Sequence, residues 1–97
     1  MRKLRVGVAG LGTGGGGLLK LFADPSARVN EKMELVAVSA RNRQRARGVD
    51  ISNYRWFDDP VELAAQRDLD VVVELIGGSD GPAKRAVETA LQRGAHV

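Results

Sequence analysis

The run Gly10-Leu11-Gly12-Thr13-Gly14-Gly15 separates an apolar stretch, Leu4 to Ala9, from a segment with helical periodicity, Thr13 to Phe22. The apolar stretch reads as a buried strand that ends at Gly10. The next segment gains an apolar face from Leu18, Leu19, Leu21 and Phe22, and Asp24-Pro25-Ser26 stops it. Gly14 to Gly17 therefore occupy the first turns of a helix, where each glycine costs about 1 kcal/mol relative to alanine. Glycines in a row at such a place need a reason, and close approach of a backbone or ligand supplies one. The G-x-G-x-x-G pattern, after a strand and at the start of a helix, is the setting in which amides at the positive helix end bind phosphate. Gly10 allows the tight turn, Gly12 lets the backbone approach a pyrophosphate, and Gly15 lets the helix pack close to the sheet. Leu11, Thr13 and Gly14 complete the turn. The alternative is a flexible glycine turn without a ligand; the flanking strand and helix favour the phosphate site.

The rest of the chain keeps alternating. Leu35 to Val38, led in by Met33-Glu34, reads as a second strand, and Tyr54 to Phe57 as a short third one. Arg41 to Asn53 is polar and reads as a loop with at most a turn of helix. Asp59 is placed to cap a helix that begins with Pro60, with Val61, Leu63, Ala64 and Ala65 as its apolar residues. Leu69 to Ile76 contains Val71-Val72-Val73, a β-branched run suited to a central parallel strand. Pro82 to Arg93 reads as a helix ending at Gly94, and Ala95-His96-Val97 as the start of a fifth strand. Strands alternating with helices give right-handed βαβ units and a parallel sheet. The expected class is α/β, a Rossmann-type sheet of strand order 3-2-1-4-5 that stops as the fifth strand begins. Residues 1–97 are read as one dinucleotide-binding domain, incomplete, with the catalytic and substrate domain lying elsewhere.

Composition narrows the function. The chain has no cysteine, so disulfides, thiolate metal sites and a cysteine nucleophile are excluded, and a cytoplasmic setting is expected. No apolar run reaches the roughly 18 residues of a spanning helix. Basic residues at Arg2, Lys3 and Arg5 precede an apolar stretch, but glycines from Gly7 onward interrupt what would be a signal core. The net charge of +3 is modest, and Arg41, Arg43, Arg45 and Arg47 sit close together while the remainder is near neutral. Neither a nucleic-acid nor a membrane partner is expected. An RNA-binding loop at Arg41 to Arg47 would call for stacking aromatics, and none occurs before Tyr54.

Strand ends supply the other candidate residues. The second strand ends Val38-Ser39-Ala40-Arg41, without the carboxylate that favours NAD by bonding the ribose hydroxyls. Arg41 can instead pair with a 2′-phosphate, and Ser39 can add a hydroxyl, so NADP is favoured over NAD. Arg43, Arg45 and Arg47 read as a solvated loop. Ile76, Gly77 and Gly78 follow the fourth strand, where backbone can pass close to a nicotinamide ribose. Glu74 is either a paired buried carboxylate or an edge residue reaching solvent, and a structural role is as good a reading as a functional one. His96 reads as a strand residue, and Trp56 and Phe57 as core. No catalytic residue and no metal ligand is assigned.

Val6-Gly7-Val8-Ala9-Gly10-Leu11-Gly12-Thr13 with Gly15-Gly16-Gly17, then Glu34 to Arg41 and Arg47-Gly48-Val49-Asp50, resembles the opening of bacterial homoserine dehydrogenases. The most specific match is Asp70-Val71-Val72-Val73-Glu74-Leu75-Ile76-Gly77-Gly78, and Gly94-Ala95-His96-Val97 looks like the approach to the family's Thr-Ala-Asn-Lys segment. Gly14 departs from the family's usual valine. The resemblance implies the cofactor-binding part of an enzyme that interconverts L-homoserine and L-aspartate 4-semialdehyde with NAD(P), on the route to threonine and methionine. It also implies a small-molecule substrate, a homo-oligomer built through other regions, and no turnover by the 97 residues alone. Another small-substrate dehydrogenase, such as an amino-acid dehydrogenase, and a non-catalytic dinucleotide-binding module are the alternatives.

Overall fold

In the computed structural model, which describes residues 2–11, 13–41, 50–76 and 81–97, parallel strands alternate with helices. The strands are β1 (Leu4–Ala9), β2 (Met33–Ser39), β3 (Arg55–Phe57) and β4 (Val71–Glu74), paired in the order β3-β2-β1-β4. The helices are α1 (Thr13–Ala23), α2 (Pro60–Ala64) and α3 (Pro82–Gln92), with a 3-10 turn at Arg28–Glu31. His96 makes a parallel bridge to Val71 on the outer side of β4, with Val72 N donating to His96 O at 2.8 Å and His96 N to Asp70 O at 3.0 Å. That is the place of the fifth strand in the expected order.

Alternation along β1 divides the core. Val6 and Val8 face α1, joining Leu19, Leu35 and Val38. Ala9 faces the other way, joining Ala37, Leu63, Ala64, Leu69, Val72, Ala86 and Ala90 beneath α2 and α3. Helices on both faces follow from the strand order: with right-handed crossovers, reversing direction across the sheet moves the connection to the opposite face. A bulge in β2 adjusts the pattern. Val6 pairs with Leu35 but Gly7 with Ala37, so Val36 is the extra residue and packs on the same side as Ala37.

Local chemistry explains the ends of the elements. Asp59 accepts from Val61 N at 2.9 Å and Pro60 opens α2, as expected. At the end of α3, Gly94 (φ +87°) donates to Leu91 O at 3.1 Å and Ala95 to Ala90 O at 3.0 Å, the paired bonds of a Schellman cap. Boundaries differ from the apolar pattern in a physically simple way. β2 runs on through Ser39 because its carbonyl accepts from Gly10 N at 2.8 Å, a backbone bond that hydrophobicity does not report. Leu21, expected on the apolar face of α1, is 45% exposed. The helical set is Gly15, Leu18, Leu19 and Phe22, at spacings of three and four, and Leu21 lies off that stripe. Trp56 and Phe57 are half-buried rather than central: Trp56 packs with the α1-side core and gives its Nε1–H to Asp58 Oδ1 at 2.7 Å, and Phe57 packs on the other side. The greater part of the expected loop, residues 42–49, lies outside the described residues. Among the described residues, no helix is long and apolar enough to cross a membrane.

The amino ends of the strands are tied by charge. Asp70 accepts two bonds from the Arg2 guanidinium, at 2.9 and 3.0 Å, and one from Arg5 N at 2.8 Å. Asp68 joins Arg5 of β1 at 3.0 Å to Arg55 of β3 at 2.7 Å. Arg93 donates to Ala64 O at 2.6 Å and Leu69 O at 3.0 Å, holding the end of α3 against the end of α2. Hydrogen bonding by Arg2 and by the Arg5 amide holds the Asp70 carboxyl down at about 2. A depressed carboxylate contributes stability that is present above the unfolded-state value and lost as pH falls through the folded one. Melting temperature is expected to drop between roughly pH 4 and pH 2. Asp70→Asn lowers it at pH 7 and makes that acid limb shallower. Asp68, shifted the same way by Arg55, keeps the limb from vanishing.

Candidate dinucleotide site

At the carboxyl ends of β1, β2 and β4, backbone from each strand meets at Gly10. Its amide bonds Ser39 O, and the preceding carbonyl, Ala9 O, accepts from Leu75 N at 2.8 Å. Gly10 adopts φ +98°, a conformation that a Cβ disfavours. A Cβ there would also lie 2.8 Å from Ile76 N and from Leu75 C. The chain leaving β4 thus crosses directly over the first glycine of the turn. Gly15 has the matching role in α1: a Cβ on it would collide with the Gly10 carbonyl oxygen. The helix therefore begins against the strand end, with its amino terminus at the carboxyl edge of the sheet. β1 sits where the strand order reverses, with β2 on one side and β4 on the other, and ligands of such sheets bind in the crevice at that point.

The other expected residues divide between backbone and side-chain roles. The Leu11 side chain is 5% exposed and belongs to the core beneath α1, which leaves its backbone for a ligand. Ser39 is 2% exposed and enters the described geometry through its carbonyl. Arg41 is exposed, two residues beyond β2. Ile76 packs its side chain on the core under α2 and α3, and its amide donates to Glu74 Oε1 at 2.6 Å. Thr13 and Gly14 lie in the first turn of α1. Gly12, Gly77 and Gly78 fall outside the described residues. Sequence reasoning missed Gly7, where a Cβ would come within 2.6 Å of Leu69 Cδ1 and 3.0 Å of Leu63 Cδ2; it lets α2 settle onto β1. It also left the Glu74–Ile76 tie unassigned, although a carboxylate closing an otherwise apolar strand was its visible sign.

A glycine turn joining the central strand to a helix, at the switch point of a parallel sheet, defines a dinucleotide-binding α/β domain. Residues 10–97 match the family model described as homoserine dehydrogenase, NAD binding domain, and the chain belongs to that family. A homoserine dehydrogenase of Neisseria gonorrhoeae is 37% identical over the whole chain, which covers 23% of that protein. One of Mycobacterium bovis is 35% identical over 95% of the chain and 21% of its own length. The chain thus spans about a quarter or less of the curated relatives it matches. A crystal structure of S. aureus homoserine dehydrogenase superposes with TM-score 0.80 at 28% identity, over 99% of this chain and 25% of that one. A scyllo-inositol dehydrogenase of Lactobacillus casei with bound NAD(H), at TM-score 0.68, 21% identity and coverage of 98% and 27%, shares the fold.

The glycine run separates by function. Gly15→Ala is expected to destabilise the chain by about 1–3 kcal/mol through overpacking. Gly17, whose Cβ would meet nothing within 4 Å, should gain up to about 1 kcal/mol as alanine. Urea denaturation of the two variants beside the parent checks the contrast, and equal effects would contradict the packing of α1 on Gly10.

Proposed function

We propose that this chain is the cofactor-binding part of an NAD(P)-dependent homoserine dehydrogenase, with NADP as the favoured cofactor. The observation that carries the reading is the junction at Gly10, where a side-chain-free backbone meets the start of α1 and the chain leaving β4. A diphosphate fits there because amides at the helix start offer hydrogen bonds and partial positive charge. Family membership supports the reaction, oxidation of L-homoserine to L-aspartate 4-semialdehyde or its reverse, in the synthesis of threonine and methionine. The bound dinucleotide supplies the hydride acceptor or donor. The residues of this chain bind and orient it: Gly10, Gly12 and Gly15 admit the diphosphate, with Leu11, Thr13 and Gly14 completing the turn. Arg41 pairs with a 2′-phosphate, beside Ser39, and Ile76, Gly77 and Gly78 border the nicotinamide side. No residue here is assigned to proton transfer, so the 97 residues alone bind cofactor without oxidising homoserine. Substrate binding and homo-oligomer formation are assigned to further chain, and the enzyme to the cytoplasm.

Calorimetric titration with NADP and with NAD tests this. Arg41→Ala should weaken NADP by roughly 1.5–3 kcal/mol, the worth of a charge-assisted hydrogen bond, and NAD much less. Equal losses would place Arg41 outside a phosphate site. Gly12→Ala should abolish binding of both while the chain still unfolds cooperatively; undiminished binding would remove the phosphate cradle itself.

A further inference from the structure

Glu74 is the last residue of β4 and half-buried, and its Oε1 accepts the Ile76 amide proton across 2.6 Å. On the other side of the same backbone, the Leu75 amide donates to Ala9 O at 2.8 Å. Between these two bonds, the Leu75–Ile76 peptide fills the space that a Cβ on Gly10 would take. The peptide crossing the glycine turn is therefore tied to β1 at one end and to Glu74 at the other. A half-buried carboxylate loses hydration and needs compensating hydrogen bonds. An apolar residue would have extended Val71-Val72-Val73 without that cost, but it could not accept the Ile76 proton.

We infer that Glu74 is a positioning residue of the dinucleotide site: by accepting from the Ile76 amide it sets the distance between the chain leaving β4 and the glycine turn. The inference rests on the reading that this crevice takes a dinucleotide. The geometry requires an acceptor oxygen, which glutamine also carries and alanine lacks. The role is thus separable from the carboxylate's charge.

The test uses the full chain with Glu74→Ala and Glu74→Gln, titrated with NADP and NAD, with amide hydrogen exchange at Ile76 followed by NMR. Alanine is expected to weaken both dinucleotides by about tenfold or more, as loss of a hydrogen bond to a charged group does, and to speed exchange at Ile76. Glutamine should recover most of the affinity and the protection. Asp70→Asn, at the opposite edge of the sheet, controls for stability alone: it lowers the melting temperature and leaves affinity in place. Alanine binding as well as the parent overturns the inference and leaves the proposed function standing. Glutamine failing as badly as alanine overturns the acceptor role. If alanine does not fold, the glutamine variant decides by the same two measurements. A parent chain that binds neither dinucleotide overturns the proposed function and this inference with it.

Discussion

The hydrogen bond from the Gly10 amide to Ser39 O, made by a residue at φ +98° with backbone packed where its side chain would be, joins β1 to β2 as β1 ends. Ala9 O takes the Leu75 amide on the other side, so the paths of three strands are registered within one peptide of each other. α1 depends on the same point, since Gly15 approaches the Gly10 carbonyl more closely than any side chain would permit. A residue with a Cβ at position 10 would carry two costs together: a left-handed backbone and a clash with a peptide that has nowhere to retreat. Backbone atoms cannot move aside as a flexible side chain can. Much of the geometry of the carboxyl edge follows from the absence of one methyl group.

The opposite edge of the sheet is built differently. There the strands are held by Arg2, Arg5 and Arg55 against Asp70 and Asp68. Exposed ion pairs are individually weak, but Asp70 also accepts from the Arg5 amide, and Asp70 N donates to Arg5 O at 2.8 Å. The backbone bond from Asp70 N to Arg5 O, which does not depend on the carboxylate, sets where β4 begins beside β1. With the start of β4 pinned, Val71 to Glu74 run in register with Val6 to Ala9, and Leu75 arrives over Gly10. The backbone register fixed at the amino edge thus carries through to the carboxyl edge.

How much of this could be read in advance depended on whether the cause was local. The alternation of strands and helices, the Asp59 cap and the Gly94 stop follow from periodicity and turn chemistry within a few residues, and the strand order from the rule for nucleotide-binding sheets. Gly10 and Gly15 were legible because the pattern of the turn states their roles. Apart from the Glu74–Ile76 tie, which spans two residues, what escaped depended on contacts distant in sequence. The need for glycine at position 7 comes from Leu63 and Leu69, and the hold of Arg93 on Ala64 O and Leu69 O joins segments more than 20 residues apart. Leu11 belongs to the motif through its backbone, while its side chain packs in the core beneath α1. A motif marks where a backbone passes, and it does not say which way each side chain turns.

That distinction also limits what the length of the glycine run means. Gly15 is required by the approach of α1 to Gly10, whereas a Cβ on Gly16 or Gly17 would meet nothing within 4 Å. Those last two glycines weaken the helix without any packing in the described residues to offset it. Gly10 and Gly15 place bare backbone at the strand end and the helix start, which is what the proposed phosphate cradle requires. A simple excess of glycine would make the segment loose. Glycine at positions 10 and 15 makes the junction close-fitting, and a site for a diphosphate needs backbone amides held in place before the ligand arrives.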